Sequence, residues 1–343
     1  MQPHLEQFTH AVQHAVEQTN FAGVIAIKID GTMVLEQAYG LADRSHCIPN
    51  TLETRFNLAS GTKFLTALGI GRFIDAGQIS LSTPLSTCLD IGFPNISQEV
   101  TIGQLTTHTA GVYDYLDEEV VSDIDLLVLP IPCYQLRRLS DYIPLLRQGP
   151  MKFLLGERFS YSNSGYILLG LVIETLSGQA YADFMQREIL DRCGMNDSGY
   201  FAMDQRPERT ATGYIDDGEG WRSNIYHLPV IGAADGGVYS TIGDIHKLWD
   251  AFFADRLISR ELRHIFLTPA VHAASQGPHA FYGHGIWMHR EPDSIPEYYI
   301  MGVDAGASFM SKWSHDGERM VTVLSNTTHG AMPVRRAIDP FLW

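Results

Sequence analysis

Residues 54–70 of the chain are TRFNLASGTKFLTALGI, a stretch in which a polar loop leads into a mainly apolar segment. From Ser60 onward the apolar residues recur at roughly helical spacing, which predicts a helix that extends to about Ala76. Gly77 follows directly and suits the position after a helix, where the backbone often turns left-handed. Ser60 therefore stands at the start of the predicted helix, and Lys63 lies one turn further on.

The pair Ser60 and Lys63 is the first candidate for catalytic chemistry. Side chains three residues apart on a helix share one face, so the lysine amine can reach the serine hydroxyl. A serine hydroxyl needs a neighbouring proton acceptor, and a lysine can serve when burial lowers its pKa. The backbone N–H of Ser60, at the helix start, is a candidate oxyanion donor. The alternative is that Ser60 only caps the helix and Lys63 is a solvated helix residue.

The segments on either side of this helix alternate between strand and helix patterns. Residues 1–18 predict an amphipathic helix, and two β-rich runs flank Asp30-Gly31, a pair typical of a hairpin turn. Further helices are predicted at 101–108, 139–148, 164–177, 179–192 and 241–254, the last capped by Thr241. Strands are predicted at 282–289, 297–302, 307–313 and 319–325, followed by a short helix at 334–341.

This order of elements predicts an α+β fold, in which an antiparallel sheet is flanked by helices and carries an inserted, mainly helical domain. The reason is that sequential strands usually pair as neighbours. We assign residues 1–78 and 230–343 to the α/β domain and residues 79–229 to the helical domain. The cleft between two such parts is the natural place for an active site.

The second candidate group is Tyr161-Ser162-Asn163, which directly precedes an apolar helix. A tyrosine at this point can exchange a proton with Ser60 if neighbouring cations hold its phenol partly ionised, and Asn163 has both a donor and an acceptor for a substrate amide. The alternative is a surface turn in which Ser162 or Ser164 caps the helix.

The third candidate segment runs from Gly302 to Gly306, between two predicted strands. A glycine at a strand end allows a substrate backbone to approach closely, and the N–H of Val303 is a candidate second oxyanion donor. Taken alone, the segment also fits a plain β-turn.

Composition narrows the classes of function. The net charge is −15 and the sequence has no Lys/Arg cluster, so we do not expect a nucleic-acid partner. None of the four cysteines forms a C-x-x-C pair, and the fourteen histidines show no H-E-x-x-H spacing, so we expect neither a metal nor another cofactor. No apolar run is long enough to span a membrane. Without a recognisable signal peptide we expect a cytoplasmic location, or a periplasmic or extracellular one if a signal has been removed.

Together and in this order, the three groups resemble the motifs of the serine β-lactamase and penicillin-binding-protein superfamily. The most similar branch holds class C β-lactamases, D,D-carboxypeptidases and β-lactamase-like esterases. Two further similar stretches are LTTHTAG at 105–111 and ADGGVYSTIGDIHKL at 234–248. The resemblance covers nearly the whole chain and implies a β-lactamase/transpeptidase-like fold.

The resemblance also implies roles for the candidate residues. Ser60 is then the acylated nucleophile, Lys63 its partner base, Tyr161 the proton shuttle and Asn163 a substrate contact. Whether Lys63 or Tyr161 is the base during acylation stays open. His108, within LTTHTAG, is then structural rather than the base of a catalytic triad.

One position departs from the family pattern. The third motif usually begins with Lys or His, whereas this chain has Ile300-Met301-Gly302. The cation that commonly binds a substrate carboxylate is thus absent from its usual place, and Asp304 adds negative charge nearby. The sequence does not indicate what replaces that cation. The departure weakens a penicillinase or carboxypeptidase assignment and leaves room for the hydrolysis of an ester, amide or lactone.

We therefore expect a serine hydrolase that forms a covalent acyl-enzyme with a small-molecule or peptide acyl substrate, at an ester, amide or β-lactam-type carbonyl. One alternative, motivated by Ile300, is a catalytically weak acyl-binding or sensor protein on a penicillin-binding-protein scaffold. Another is a D,D-peptidase, which requires an extracytoplasmic location. The number of subunits is left open.

Overall fold

The computed structural model describes residues 2–292 and 294–342, with the backbone alone for residues 2–9. The described helices are α1 Gln2–Gln18, α2 Thr62–Asp75, α3 Ile102–Thr106, α4 Ile143–Leu146, α5 Asn163–Ser177, α6 Tyr181–Met185, α7 Asp191–Cys193, α8 Ile242–Phe253, α9 Arg260–Phe266 and α10 Ala331–Leu342. The described strands are β1 Gly23–Ile29, β2 Thr32–Tyr39, β3 Leu41–Asp43, β4 Ile48–Pro49, β5 Phe56–Asn57, β6 Tyr214–Asp216, β7 Trp221–Ser223, β8 Tyr239–Ser240, β9 Val271–His272, β10 Ala280–Tyr282, β11 Trp287–His289, β12 Glu297–Asp304, β13 Ala307–Ser314 and β14 Met320–Ser325.

The central layer is an eight-stranded sheet with the strand order β2-β1-β14-β13-β12-β11-β10-β9. Its strands pair antiparallel, and from β9 to β14 each strand lies beside its neighbour in the sequence. The N-terminal hairpin closes the other edge, where Gly23 of β1 lies opposite Ser325 of β14. The predicted α+β class with an antiparallel sheet is thereby confirmed.

Local sequence signals account for several boundaries. Asp30 and Gly31 have φ angles of 48° and 72°, the left-handed geometry that an Asp-Gly pair supplies in a tight hairpin. Gly77, with a φ of 69°, follows the end of α2. Thr241 caps α8 by accepting a hydrogen bond from the N–H of Asp244. These three predictions are confirmed.

Other predicted elements differ from the structure. The prediction of one strand at 282–289 is wrong. The structure has two short strands there, β10 and β11, because Gly285 turns the chain between them with a φ of 82°. The helix predicted at 179–192 is interrupted by a π-helical turn, Gln186–Leu190, between α6 and α7. The short strands β3 to β9 were not predicted, since segments of two or three residues leave no readable period in the sequence.

Both faces of the sheet are covered by helices. On one face, Val12 of α1 and Ile338 of α10 share an apolar cluster with Val323 of β14. The main core contains Phe64 of α2 and Trp249 of α8, whose rings lie 5.7 Å apart. Helix α2, which carries the serine–lysine pair, is therefore fixed from several sides.

The helices α3 to α7 lie between β5 and β6 along the chain, outside the segments that form the eight-stranded sheet. Gly69 of α2 lies against this helical part: a Cβ there would be 3.0 Å from Ile173 and 3.1 Å from Met185. The division at 78/79 and 229/230 stays a prediction. Within the described part of the chain, no helix has the length and apolar character needed to cross a bilayer.

Candidate active site

Ser60 lies in a 3₁₀ turn, Ala59–Gly61, that leads directly into α2. Ala59 has a φ of 47°, an unusual value for a residue with a side chain. Its N–H donates to Asn57 Oδ1 at 2.7 Å, and its carbonyl accepts from the hydroxyl of Thr62 at 2.8 Å. These bonds hold the strained turn in place, as strained backbone at a functional site requires.

Lys63 is buried, and its Nζ points at three oxygen atoms. Ser60 Oγ lies at 2.9 Å, Asn163 Oδ1 at 2.7 Å and the backbone carbonyl of Asp235 at 2.6 Å. The Asn163 amide is oriented by its other end, where Nδ2 donates to the carbonyl of Leu116 at 2.8 Å. Of the three oxygens, Ser60 Oγ alone carries a hydrogen. A neutral Lys63 would thus give its two hydrogens to the other oxygens and turn its lone pair to Ser60.

The charge state of Lys63 is set by two opposing effects. Burial lowers the pKa of Lys63, whereas the nearby carboxylates of Asp235, Glu118 and Asp304 raise it. The pKa of Lys63 is lower than that of a free lysine, so burial outweighs these carboxylates. A lowered pKa makes the neutral amine more accessible, which is the form that can accept a proton.

Tyr161 stands beside this pair. Its ring centre lies 4.8 Å from Lys63 Nζ, and its phenol shares a hydrogen bond with Ser60. Burial, reinforced by Glu118, raises the pKa of Tyr161 well above its usual value. The ring is stacked on Trp287, with centroids 6.0 Å apart. Tyr161 consequently holds its proton at neutral pH, next to the serine oxygen.

The turn that carries Tyr161 and Asn163 is fixed at the N-terminus of α5. Ser162 caps the helix by accepting from the N–H of Gly165 at 3.0 Å. Asp114 accepts from the N–H groups of Asn163 and Ser164, both at 2.9 Å. Ser162 is thus a helix cap, as one interpretation of the sequence proposed, and the same turn brings its neighbours to Ser60. Asp114 was not predicted from the sequence.

His108 stabilises the same turn by hydrogen bonds. Its Nδ1 accepts from the N–H of Ser162 at 3.0 Å, and its carbonyl accepts from the N–H of Ser160 at 3.0 Å. The imidazole packs against Tyr161, with ring centroids 4.4 Å apart. Burial lowers the pKa of His108 well below its usual value, so the ring is neutral. Its contacts orient Tyr161 and the turn.

Gly302 lets strand β12 pack directly on the serine turn. A Cβ on this residue would lie 2.4 Å from the carbonyl oxygen of Leu58 and 2.5 Å from the backbone nitrogen of Ser60. Val303, the next residue, lines the same pocket as Ser60. Strand β11 pairs with β12 only as far as Tyr299, so residues 300–304 have an open edge on that side.

Ile300, which stands where a cation is usual in the family, is 2% exposed and belongs to the main core. The pocket at Ser60 has a volume of about 270 Å³. Among its described lining residues none is Lys or Arg, whereas Glu118, Asp235 and Asp304 are acidic. The structure therefore brings carboxylates, rather than a substitute cation, to the nucleophile.

The other predicted features concern metal ions and cysteines. Within residues 2–292 and 294–342, no group of three or more His, Cys, Asp or Glu side chains is arranged to hold a metal ion. The four cysteines are unpaired thiols, and Cys47 is exposed.

Together, the antiparallel sheet and the Ser60–Lys63 turn beneath a pocket define a class of protein, the hydrolases that resemble penicillin-binding proteins. A family model described as Beta-lactamase matches residues 8–339. Because the match spans nearly the whole sequence, the chain belongs to the beta-lactamase family.

Individual relatives support the same conclusion. The crystal structure of a penicillin binding protein from Bacillus halodurans has a TM-score of 0.90 and 41% identity, over 96% of this chain and 100% of that one. The putative penicillin-binding protein PbpX of Bacillus subtilis is 26% identical over 93% of this chain and 74% of its own length. Esterase EstB of Burkholderia gladioli is 32% identical over 59% of this chain and 52% of its own length. The chain is accordingly a hydrolase of this family.

Proposed function

We propose that the protein is a serine hydrolase in which Ser60 attacks an ester or amide carbonyl and forms a covalent acyl-enzyme. The observation that carries this proposal is the surroundings of Lys63 Nζ. Its two other oxygen partners have no hydrogen to give, so a neutral Lys63 must accept its proton from Ser60. A serine paired with an oriented base is the arrangement required for nucleophilic catalysis.

The pKa of Lys63 is lowered and that of Tyr161 is raised, so the two residues are suited to different proton transfers. The lowered pKa of Lys63 favours it as the base that takes the proton of Ser60 Oγ as the oxygen–carbon bond forms. The raised pKa of Tyr161 favours it as the acid that protonates the leaving group as the intermediate collapses. The protonated Lys63 then returns its proton to the Tyr161 phenolate, before water hydrolyses the acyl-enzyme.

The backbone supplies the candidate oxyanion donors. The N–H of Ser60 stands at the start of α2, and the N–H of Val303 is the proposed second donor. The absence of a Cβ at Gly302 lets the backbone of β12, and with it Val303, lie close to the Ser60 nitrogen.

The test is the Ser60→Ala variant, with Ser45→Ala as a control at an exposed serine. Both variants are assayed with p-nitrophenyl esters, nitrocefin and D-alanyl peptides, and are labelled with a fluorophosphonate. We expect Ser60→Ala to lose labelling and hydrolysis while Ser45→Ala keeps both. Labelling of Ser60→Ala at the wild-type level would refute the assignment. A stoichiometric burst without turnover in the wild type would favour a sensor instead.

A further inference from the structure

The pocket above Ser60 is lined by three acidic side chains. Glu118, Asp235 and Asp304 line it, and its described lining residues include neither Lys nor Arg. All three carboxylates act electrostatically on Lys63, so they lie close to the nucleophile. Lys63 is itself buried and already contacts three oxygens, which leaves it no free donor for a ligand.

Asp304 follows Val303 at the end of β12, beside the turn that holds Ser60. A Cβ on Gly236 would lie 3.5 Å from the carbonyl of Ala59 and 3.7 Å from Asp304 Oδ2, which places this carboxyl next to the serine turn. No described residue donates a hydrogen bond to the Asp304 carboxyl, and burial raises its pKa to about 7. A carboxyl enclosed by a pocket without a donor is complementary to a cationic ligand.

Asp235 provides a second acceptor in the same pocket. It is 7% exposed, and its Oδ2 accepts from the hydroxyl of Tyr115 at 2.5 Å. Besides Tyr115, the described residues offer this carboxylate one further donor, the backbone N–H of Asp235 itself. A carboxylate has about four acceptor positions on its two oxygens, so the group keeps acceptor capacity for a donor brought by a ligand.

The pocket also has an apolar wall. The rings of Tyr115, Tyr142, Phe201 and Tyr239 line it together with aliphatic side chains. Aromatic faces attract cations as well as apolar groups. The lining therefore suits a ligand that combines a positive charge with a hydrocarbon body.

We propose that this pocket selects acyl donors that carry a positively charged amine, with the ammonium bound by Asp304 and Asp235 and the hydrocarbon part along the aromatic wall. The proposal rests on the serine-hydrolase function above and adds the chemical class of its substrate. A carboxylate in the same position would meet like charges, since Ile300 supplies no cation.

The test uses three p-nitrophenyl esters of similar length: 6-aminohexanoate, heptanoate and the monoester of adipic acid, which are cationic, neutral and anionic. We expect kcat/KM to be highest for the cationic ester, by roughly 10- to 100-fold over the neutral one, as for a hydrogen bond to a charged group. The anionic ester should be hydrolysed most slowly. Added NaCl should reduce the difference, because salt screens the attraction.

Two variants locate the effect. Asp304→Asn should lower the ratio of kcat/KM between the cationic and neutral esters, whereas Glu99→Gln, a change at an exposed acid, should leave that ratio unchanged. If Asp304→Asn does not fold, the salt dependence of the wild-type ratio remains decisive. Equal rates for all three esters, or a preference for the anion, would overturn the proposal while Ser60-dependent hydrolysis stood. If Ser60→Ala kept both labelling and hydrolysis, both proposals would be overturned.

Discussion

At the scale of single residues, the site contains a local pair and a distant one. Ser60 and Lys63 are three residues apart, so the helical period alone predicted their contact. Lys63 and Asn163 are 100 residues apart, and their hydrogen bond was not predicted, since the family resemblance implied for Asn163 only a contact with the substrate. Asp235 contacts Lys63 through its backbone carbonyl, and a backbone atom leaves no signature in the sequence.

The assignment of Tyr161 as the acid gives a prediction that depends on the leaving group. Tyr161→Phe should lower kcat/KM for an ethyl ester by roughly 10²- to 10⁴-fold, because an alkoxide needs a proton to depart. The p-nitrophenyl ester of the same acid should lose far less, since p-nitrophenolate is a stable anion. Steady-state kinetics with both esters measure the difference.

Tyr166→Phe is the matched control for this experiment. Tyr166 is also a buried tyrosine near Lys63, but its hydroxyl donates to the carbonyl of Thr106 at 3.0 Å. The two esters should therefore respond alike to its loss. Equal losses for both esters in Tyr161→Phe would contradict the role of Tyr161 as the acid.

At the scale of elements, the N-terminus of α5 positions Tyr161 and Asn163 beside Ser60 and Lys63. The sequence predicted a helix here and a Ser162 or Ser164 cap, and the structure has the Ser162 cap. Asp114 was missed because it lies 49 residues before the N–H group that it accepts from. The spacing of apolar residues shows where a helix lies, but it does not show which distant loop packs against the end of that helix.

Asp114→Asn tests this support and has a distinct pH dependence. Burial raises the pKa of Asp114 to about 7, so the folded state binds a proton that the unfolded state releases near pH 4. The free energy of unfolding of the wild type therefore loses this contribution as the pH rises from about 4 to about 7. Asparagine does not titrate, so the stability deficit of the variant should be larger at pH 5 than at pH 8.

Urea unfolding at pH 5 and pH 8 measures this deficit. We expect about 1–3 kcal/mol at pH 5, the usual cost of unsatisfied buried hydrogen-bonding groups. The exposed-acid variant Glu99→Gln should show no comparable change between the two pH values. An equal deficit at the two pH values would mean that Asp114 is already ionised in the folded protein at pH 5.

At the scale of the whole molecule, the sheet places the two ends of the chain together on one face. The hairpin and the late strands were predicted, yet the pairing of β1 with β14 was not, since its partners are about 300 residues apart. The acidic pocket was also beyond prediction, because its lining comes from segments between Asn57 and Ala305 that meet only in three dimensions.

Ile338→Ala tests whether α10 supports the sheet from that face. Ile338 is fully buried in the cluster shared with Val12 and Val323. Truncation should lower the free energy of unfolding by about 2–5 kcal/mol. Val128→Ala, at a side chain that is 87% exposed, should change it by less than about 0.5 kcal/mol. Equal stability of the two variants in urea would show that α10 does not support the core.

The stacking of Trp287 on Tyr161 has an optical consequence. The indole is 7% exposed and its plane lies within 14° of the phenol ring, while its other ring neighbours include Tyr282 and Tyr299. Any displacement of Tyr161 when Ser60 carries an acyl group alters the immediate surroundings of this fluorophore. We therefore expect the light emitted by Trp287 to change as the active site fills and empties.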